Sequence, residues 1–363
     1  MVRRLAGVTR GEGLVAGWIE PPALTGPLVP GSVRRAAPCP DLSTDFKPSC
    51  NSMLDPKRSD HLEQAAGAAV GLSSRVPETA FTAGILGSER TGHGVLISGD
   101  GIVLTVGYLV MEANEVWLRL ADGRVYPGYV LGLDLQSGFG LVQALTRDVL
   151  PYTPLGDSDT ATAGSEVVVA GHGGNEQVMP ATVMGRREFA GYWEYLLDDA
   201  LFTAPAHPNW GGAGVLDLTG QLLGIASLHV GHRLPEGETL DLNMVIPVNL
   251  LKPVLNDIVK SGRPLLPARP WLGLYADDGD DRIAVIDVSM RGPAARAGLR
   301  RGDLILAVND APVKSLAGLF RAIWALGEAG VVVPLTVQRG SNRLGISVNS
   351  IDRYSVLRGP MVH

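Results

Sequence analysis

From about residue 54 the chain is written in short runs of Val, Ile and Leu, each broken by Gly, Pro or polar residues. A helical stretch, Asp60–Ala69, leads into strand-like Ala69–Ser74, and runs such as Val167–Ala170 and Val331–Arg339 have strand length. Apolar runs this short, bounded by turn formers, predict strands rather than long helices. The 46 Gly and 25 Pro supply the turns. The predicted fold class is therefore mainly β. No stretch of eighteen consecutive apolar residues occurs, so no membrane span is predicted.

Residues 1–58 follow a different pattern. Pro21, Pro22, Pro27, Pro30, Pro38 and Pro40 interrupt any helical or strand period, which predicts a flexible Pro/Gly-rich N-terminal extension. Leu14–Leu28 is interrupted by Glu20 and two prolines, so it lacks the continuous apolar region of a signal peptide. Met53 is an alternative start. Cys39 and Cys50, the only cysteines, lie in this segment, and without an export signal two free thiols are favoured over a disulfide.

At 363 residues, 45% hydrophobic and 19% charged, the chain has material for two or three packed domains. A net charge of -6 gives no general attraction to nucleic acid or to anionic membranes.

Three segments hold a recognisable frame. They are Gly94–Val110, Val116–Gln143 and Thr203–Ile225, with further matching text at Leu155–Asp159, Gly164–Gly171 and Leu242–Leu255. Together they resemble the HtrA/DegP family of trypsin-like serine proteases. The resemblance implies a trypsin-like double antiparallel β-barrel, six strands to each barrel, with the catalytic cleft between them. In the family's register Tyr108 stands at the base histidine, Gly138 at the orienting aspartate and Gly211 at the nucleophilic serine. Asn209 and Trp210 replace the glycine and asparagine of the oxyanion turn, and Thr203 replaces an upstream aspartate. Glycine has no side chain with which to attack a carbonyl. A phenol, with an ordinary pKa of about 10, is a poor base near neutral pH. The expectation is a chain with no catalytic residues.

Beyond the Pro-rich stretch 263–270, Trp271–Leu274 followed by Arg291–Val313 is similar to the PDZ pattern. Leu316–Leu326 corresponds to its groove helix and Val331–Arg339 to a closing strand. PDZ domains take an extended peptide by strand addition. The resemblance implies that backbone amides around Trp271, Leu272, Gly273 and Leu274 receive a terminal carboxylate. Leu319 and Ile323 either line the pocket for the last side chain or are ordinary core. The expected organisation is extension 1–58, protease-like body 59–262, semi-rigid linker 263–270, PDZ-like domain 271–353 and C-terminal tail 354–363.

Other features resolve to plainer readings. Gly171–Asn175 looks like a phosphate-cradling turn, but Pro180 and Val183 continue a strand-like text where a helix is needed. His172, His207, His229 and His232 read as unconnected loop residues rather than a metal site. Asp277–Asp281 lacks calcium-loop spacing. No cofactor and no metal are expected. Trp210 either plugs the vacant cleft or caps the core. The expected function is a proteolytically inactive scaffold or adaptor that binds protein or peptide segments, C-terminal ones included. The alternatives are a hydrolase whose displaced nucleophile, Ser158, Ser165 or Ser227, meets a histidine in space, and a metal-binding pseudoprotease. No nucleic-acid partner is expected, and homo- or hetero-oligomers stay open. The missing export signal favours the cytoplasm, whereas the resemblance implies the periplasm.

Overall fold

A computed structural model describes residues 62–359, apart from 64, 234–237 and 280–281. The whole N-terminal extension 1–58, with Cys39, Cys50 and Met53, lies outside the described residues, as does part of the Asp277–Asp281 stretch.

Six antiparallel strands form the first closed barrel: β1 (Ala69–Arg75), β2 (Glu89–Leu96), β3 (Ile102–Val106), β4 (Glu115–Arg119), β5 (Val125–Leu133) and β6 (Phe139–Ala144). They are ordered β1-β2-β3-β6-β5-β4, with β1 pairing both β2 and β4 to close it. In β4 the sequence Glu-Val-Trp-Leu-Arg alternates exposed and buried, so Val116 and Leu118 point inward. This is the two-residue period of a half-buried strand.

The second closed barrel contains β7 (Glu166–Ala170), β8 (Val178–Gly191), β9 (Tyr195–Ala204), β10 (Gly214–Leu216), β11 (Leu222–Arg233) and β12 (Thr239–Pro247), ordered β10-β11-β12-β9-β8-β7. One apolar cluster runs between the barrels through Leu104, Phe139, Leu216, Leu222, Ile225 and Ile246. The cleft therefore sits over a continuous core.

Strands β8 and β9 outrun this barrel. Their pairing begins at Thr182↔Ala204 and ends at Gly191↔Tyr195, with bulges near Val183 and Arg187. The result is an arm that ends in the three-residue turn Tyr192–Glu194. Glu194 closes that turn at φ 58, the left-handed geometry such a turn calls for. Trp193 stacks on Tyr195 at 5.5 Å, and Tyr192 meets Trp193 edge-on at 4.8 Å, which stiffens the tip.

The third unit is a six-stranded sheet built from β13 (Leu274–Asp277), β14 (Ile283–Val288), β15 (Leu304–Val308), β16 (Ala311–Pro312), β17 (Val332–Arg339) and β18 (Asn342–Asn349). Strand β13 lies at its edge. Helix α1 (Leu316–Trp324) starts at Ser315, whose hydroxyl accepts from the Gly318 amide, and buries Leu319, Phe320 and Ile323 against the sheet.

The stretch 263–270 is tied to the third unit: Ala329 N–H donates to the Ala268 carbonyl at 2.8 Å, and the Arg269 guanidinium lies 4.2 Å from the Trp324 ring centroid. Residues 354–359 are not a free tail. Tyr354 Oη donates to the Leu133 carbonyl at 2.9 Å, and the Arg358 amide donates to Glu112 Oε1 at 3.1 Å. The chain thus returns to the first barrel after the PDZ sheet, because Tyr354 and the buried Glu112 carboxylate provide partners there. Among the described residues no helix is long and apolar enough to cross a membrane.

Candidate functional site: a rebuilt cleft and an occupied groove

Gly107–Val110 form one helical turn after β3 and carry Tyr108 into the cleft between the barrels. Its phenolic oxygen donates to the Ser227 carbonyl on β11 at 2.8 Å. Burial pushes its pKa far above the usual phenol range. A Cβ placed on Gly211 would stand 3.3 Å from that oxygen. Gly138 has φ +90, and a Cβ there would meet Tyr195 Oη at 3.0 Å. Tyr195 Oη in turn donates to the Ser137 carbonyl at 2.6 Å. The structure thus brings Tyr108, Gly138 and Gly211 to one cleft and fills the space beside the two glycines with tyrosine.

The turn before Gly211 is also rebuilt. The Asn209 amide, at an oxyanion-turn position in the family register, donates inward to His207 Nδ1 at 3.0 Å. The Gly211 carbonyl accepts from the His93 amide at 2.8 Å. Trp210 packs against the second barrel's core and, with Pro205, His207, Pro208, His229 and Asp241, lines an open pocket beside the cleft. It caps the core, leaving the space between Tyr108 and Gly211 to the phenol.

His172 and His207 are not isolated loop residues. Both lie near His93, whose Nδ1 accepts from the His172 amide at 3.1 Å. Burial, with the neighbouring His172 and His207, pulls His93 down to about 4. His207 itself is 2% exposed. His93 was absent from the sequence-based candidates; its only signal was a histidine between two glycines inside a strand. His229 sits on β11, 3.6 Å from Asp241 and half-exposed. Among the described residues no group of three or more His, Cys, Asp or Glu is arranged to hold a metal. Ser158 Oγ accepts from the Asn249 amide and Ser165 Oγ from the Thr162 amide. Ser227 presents its carbonyl to Tyr108.

In the PDZ unit, Trp271 is bridged to Ile351 and packs edge-on against Phe81 of the first barrel at 5.8 Å. Leu272 and Gly273 form the loop that leads into β13 at Leu274, with Gly273 at φ +74. The Leu272 amide donates to Glu194 Oε2 at 3.0 Å, and the Leu274 amide donates to Glu194 Oε1 at 2.8 Å. The loop therefore holds a carboxylate from the tip of the β8–β9 arm. Leu319 and Ile323 are fully buried in one cluster with Leu272, Leu274 and the arm residue Leu196. Desolvation pushes Glu194 up to about 7, against the pull of the Leu274, Leu272 and Gly273 amides and the Arg353 charge. No local sequence signal marked Glu194.

Comparison with known proteins agrees with this architecture. Residues 92–225 match the trypsin-like peptidase domain and residues 270–349 the PDZ domain. A probable periplasmic DegP-like serine endoprotease of Pseudomonas fluorescens is 28% identical over 278 residues, covering 72% of this chain and 56% of that protein. The serine endoprotease DegS of Salmonella typhimurium is 27% identical, covering 71% of this chain and 75% of its own length. The chain thus spans little more than half of the DegP-like relative. Among solved structures, the HtrA-type protease AlgW with decapeptide has a TM-score of 0.50 at 21% identity, covering 84% of this chain and 99% of that one. Two closed barrels that match the trypsin-like peptidase domain, followed by a sheet that matches the PDZ domain, make this chain a trypsin-like peptidase and PDZ protein similar to the HtrA-type serine endoproteases.

Proposed function

We propose that this HtrA-like chain is proteolytically silent and acts as a peptide- or protein-binding adaptor. The observation that carries the reading is Tyr108: its hydroxyl bridges to the Ser227 carbonyl and stands against Gly211, occupying the space that a nucleophile and its base would share. Nucleophilic catalysis needs an activated nucleophile held by a base and an orienting group. Here those positions are a glycine, a phenol of raised pKa and a second glycine. Withdrawal of the Asn209 amide to His207 supports the same reading, because developing negative charge at an attacked carbonyl needs that kind of donor.

Binding is assigned to the PDZ unit. It presents an edge strand, β13, a carboxylate-receiving loop at Leu272–Leu274 and an apolar floor that includes Leu319 and Ile323. These are the parts used in peptide recognition by strand addition. The match to AlgW solved with a decapeptide is in keeping with this reading. Titration calorimetry of the whole chain tests it: a peptide with a free, apolar C-terminus binds and its C-terminal amide binds more weakly. Equal affinities would remove carboxylate capture from the proposal.

A further inference from the structure

We infer that the β8–β9 arm is an internal ligand of the PDZ domain, with the Glu194 carboxylate seated where a peptide's terminal carboxylate would go, so that an external peptide enters only by displacing the arm. The inference rests on the reading of this domain as a peptide receptor.

Three independent contacts reproduce peptide binding in cis. Both loop amides, Leu272 and Leu274, are spent on Glu194. The Ala276 amide on β13 donates to the Tyr192 carbonyl at 3.0 Å, so the arm tip engages the strand where an added peptide strand would bond. Leu196 enters the cluster of Leu272, Leu319 and Ile323, where an apolar last residue would be buried. A C-terminal residue carries its carboxylate and its side chain together, whereas the arm divides those tasks between Glu194 and Leu196. At the outer edge, Arg321 of α1 pairs with both Glu188 and Asp198 of the arm.

The contact is built to be exchangeable. Glu194 is 7% exposed, and its hydrogen-bond partners are backbone amides, so burial still disfavours its charge despite those amides and the Arg353 charge. It also holds a left-handed conformation unusual for a non-glycine residue. An incoming peptide brings one carboxylate into the loop as one leaves, so the desolvation penalty is nearly unchanged by the exchange. The balance then rests on strand and pocket contacts, which a peptide with an apolar C-terminal side chain supplies. The partner class is therefore a chain end with a free carboxylate and an apolar last residue, selected in competition with the arm.

The test compares the full chain with Glu194→Ala and with Arg321→Glu, which loosens the arm without entering the loop. Two readouts are taken: hydrogen exchange at the Leu272 and Leu274 amides, and calorimetric titration with a hexapeptide ending in Val and with its C-terminal amide. Faster exchange in Glu194→Ala, and affinity for the free-acid peptide raised about tenfold in both variants, are expected, since removing a competing internal state raises the binding-competent fraction. Unchanged exchange and unchanged affinity in Glu194→Ala would overturn the inference. Faster exchange with no peptide binding to any of the proteins would instead overturn the receptor reading and the competition with it. If Glu194→Ala does not fold, unchanged affinity in Arg321→Glu overturns the inference by itself.

Discussion

The hydroxyl of Tyr108 and the backbone of Gly211 face each other across the inter-barrel cleft, with 3.3 Å between that oxygen and the point where a Cβ on residue 211 would stand. Gly211 does not have the left-handed backbone of neighbouring Gly212, so a serine is sterically admissible there if the phenol gives by a few tenths of an ångström. Its Oγ would then find a buried phenol rather than an imidazole. Gly211→Ser is accordingly expected to fold, to lose no more than about 1 kcal/mol of stability, and to show no turnover on a fluorogenic peptide. Urea unfolding and the peptide assay check both parts.

Gly138 behaves differently. Its φ of +90 and the Tyr195 hydroxyl 3.0 Å from the Cβ position make any side chain there both strained and crowded. Gly138→Ala is expected to destabilise the body by about 2 kcal/mol or more, read as a lowered denaturant midpoint with an unchanged slope. Restoring an aspartate at this position therefore damages the fold that the restored chemistry would need. The triple variant Tyr108→His, Gly138→Asp, Gly211→Ser is expected to recover little activity.

Much of this was legible before any coordinates. The apolar runs between glycines and prolines carried the strands, and the flanking text fixed the register that put Tyr108, Gly138 and Gly211 at one site. The groove contact was not legible. Nothing local in Gly191–Tyr195 says that the Glu194 carboxylate reaches amides about eighty residues further on. The same holds for His93, which only the closing of both barrels brings beside His172 and His207. The return of Tyr354 was not legible either: residues 354–363 read as a tail, and only the structure shows the Tyr354 hydroxyl reaching the Leu133 carbonyl.

The Glu194 carboxyl sets a pH dependence whose sign follows from its raised pKa. Docked, it titrates at about 7; freed into solvent it should return towards the ordinary 4.5. The docked state thus binds more protons between those values, and docking weakens as pH rises from 4.5 through 7. The charged groups facing it are Arg353, which favours ionisation, and Tyr275, neutral in this range. Protection of the Leu272 and Leu274 amides in the unliganded chain is expected to fall as pH rises from about 5.5 to about 8, with a flatter profile in Glu194→Gln. Hydrogen exchange at three pH values, corrected for the intrinsic rate, checks it.

His93 acts in the opposite direction on the body. Its pKa near 4 in the fold, against 6.5 when exposed, means that the unfolded chain binds the extra proton. Its contribution is complete above pH 6.5 and is lost as pH falls towards 4. His93→Gln is expected to lower stability at pH 7.5 but to lose less than the parent between pH 6.5 and 4.5. Denaturation at those pH values, followed by tryptophan fluorescence, reads the difference.

The most direct test of the silent-protease account is turnover and labelling of the purified chain with a fluorophosphonate probe, alongside hydrolysis of one fluorogenic peptide. The account predicts no hydrolysis above buffer and no covalent adduct on any serine, because Gly211 offers no nucleophile and Tyr108 no base. Hydrolysis abolished by the probe, with a stoichiometric adduct mapped to Ser158, Ser165 or Ser227, would contradict it.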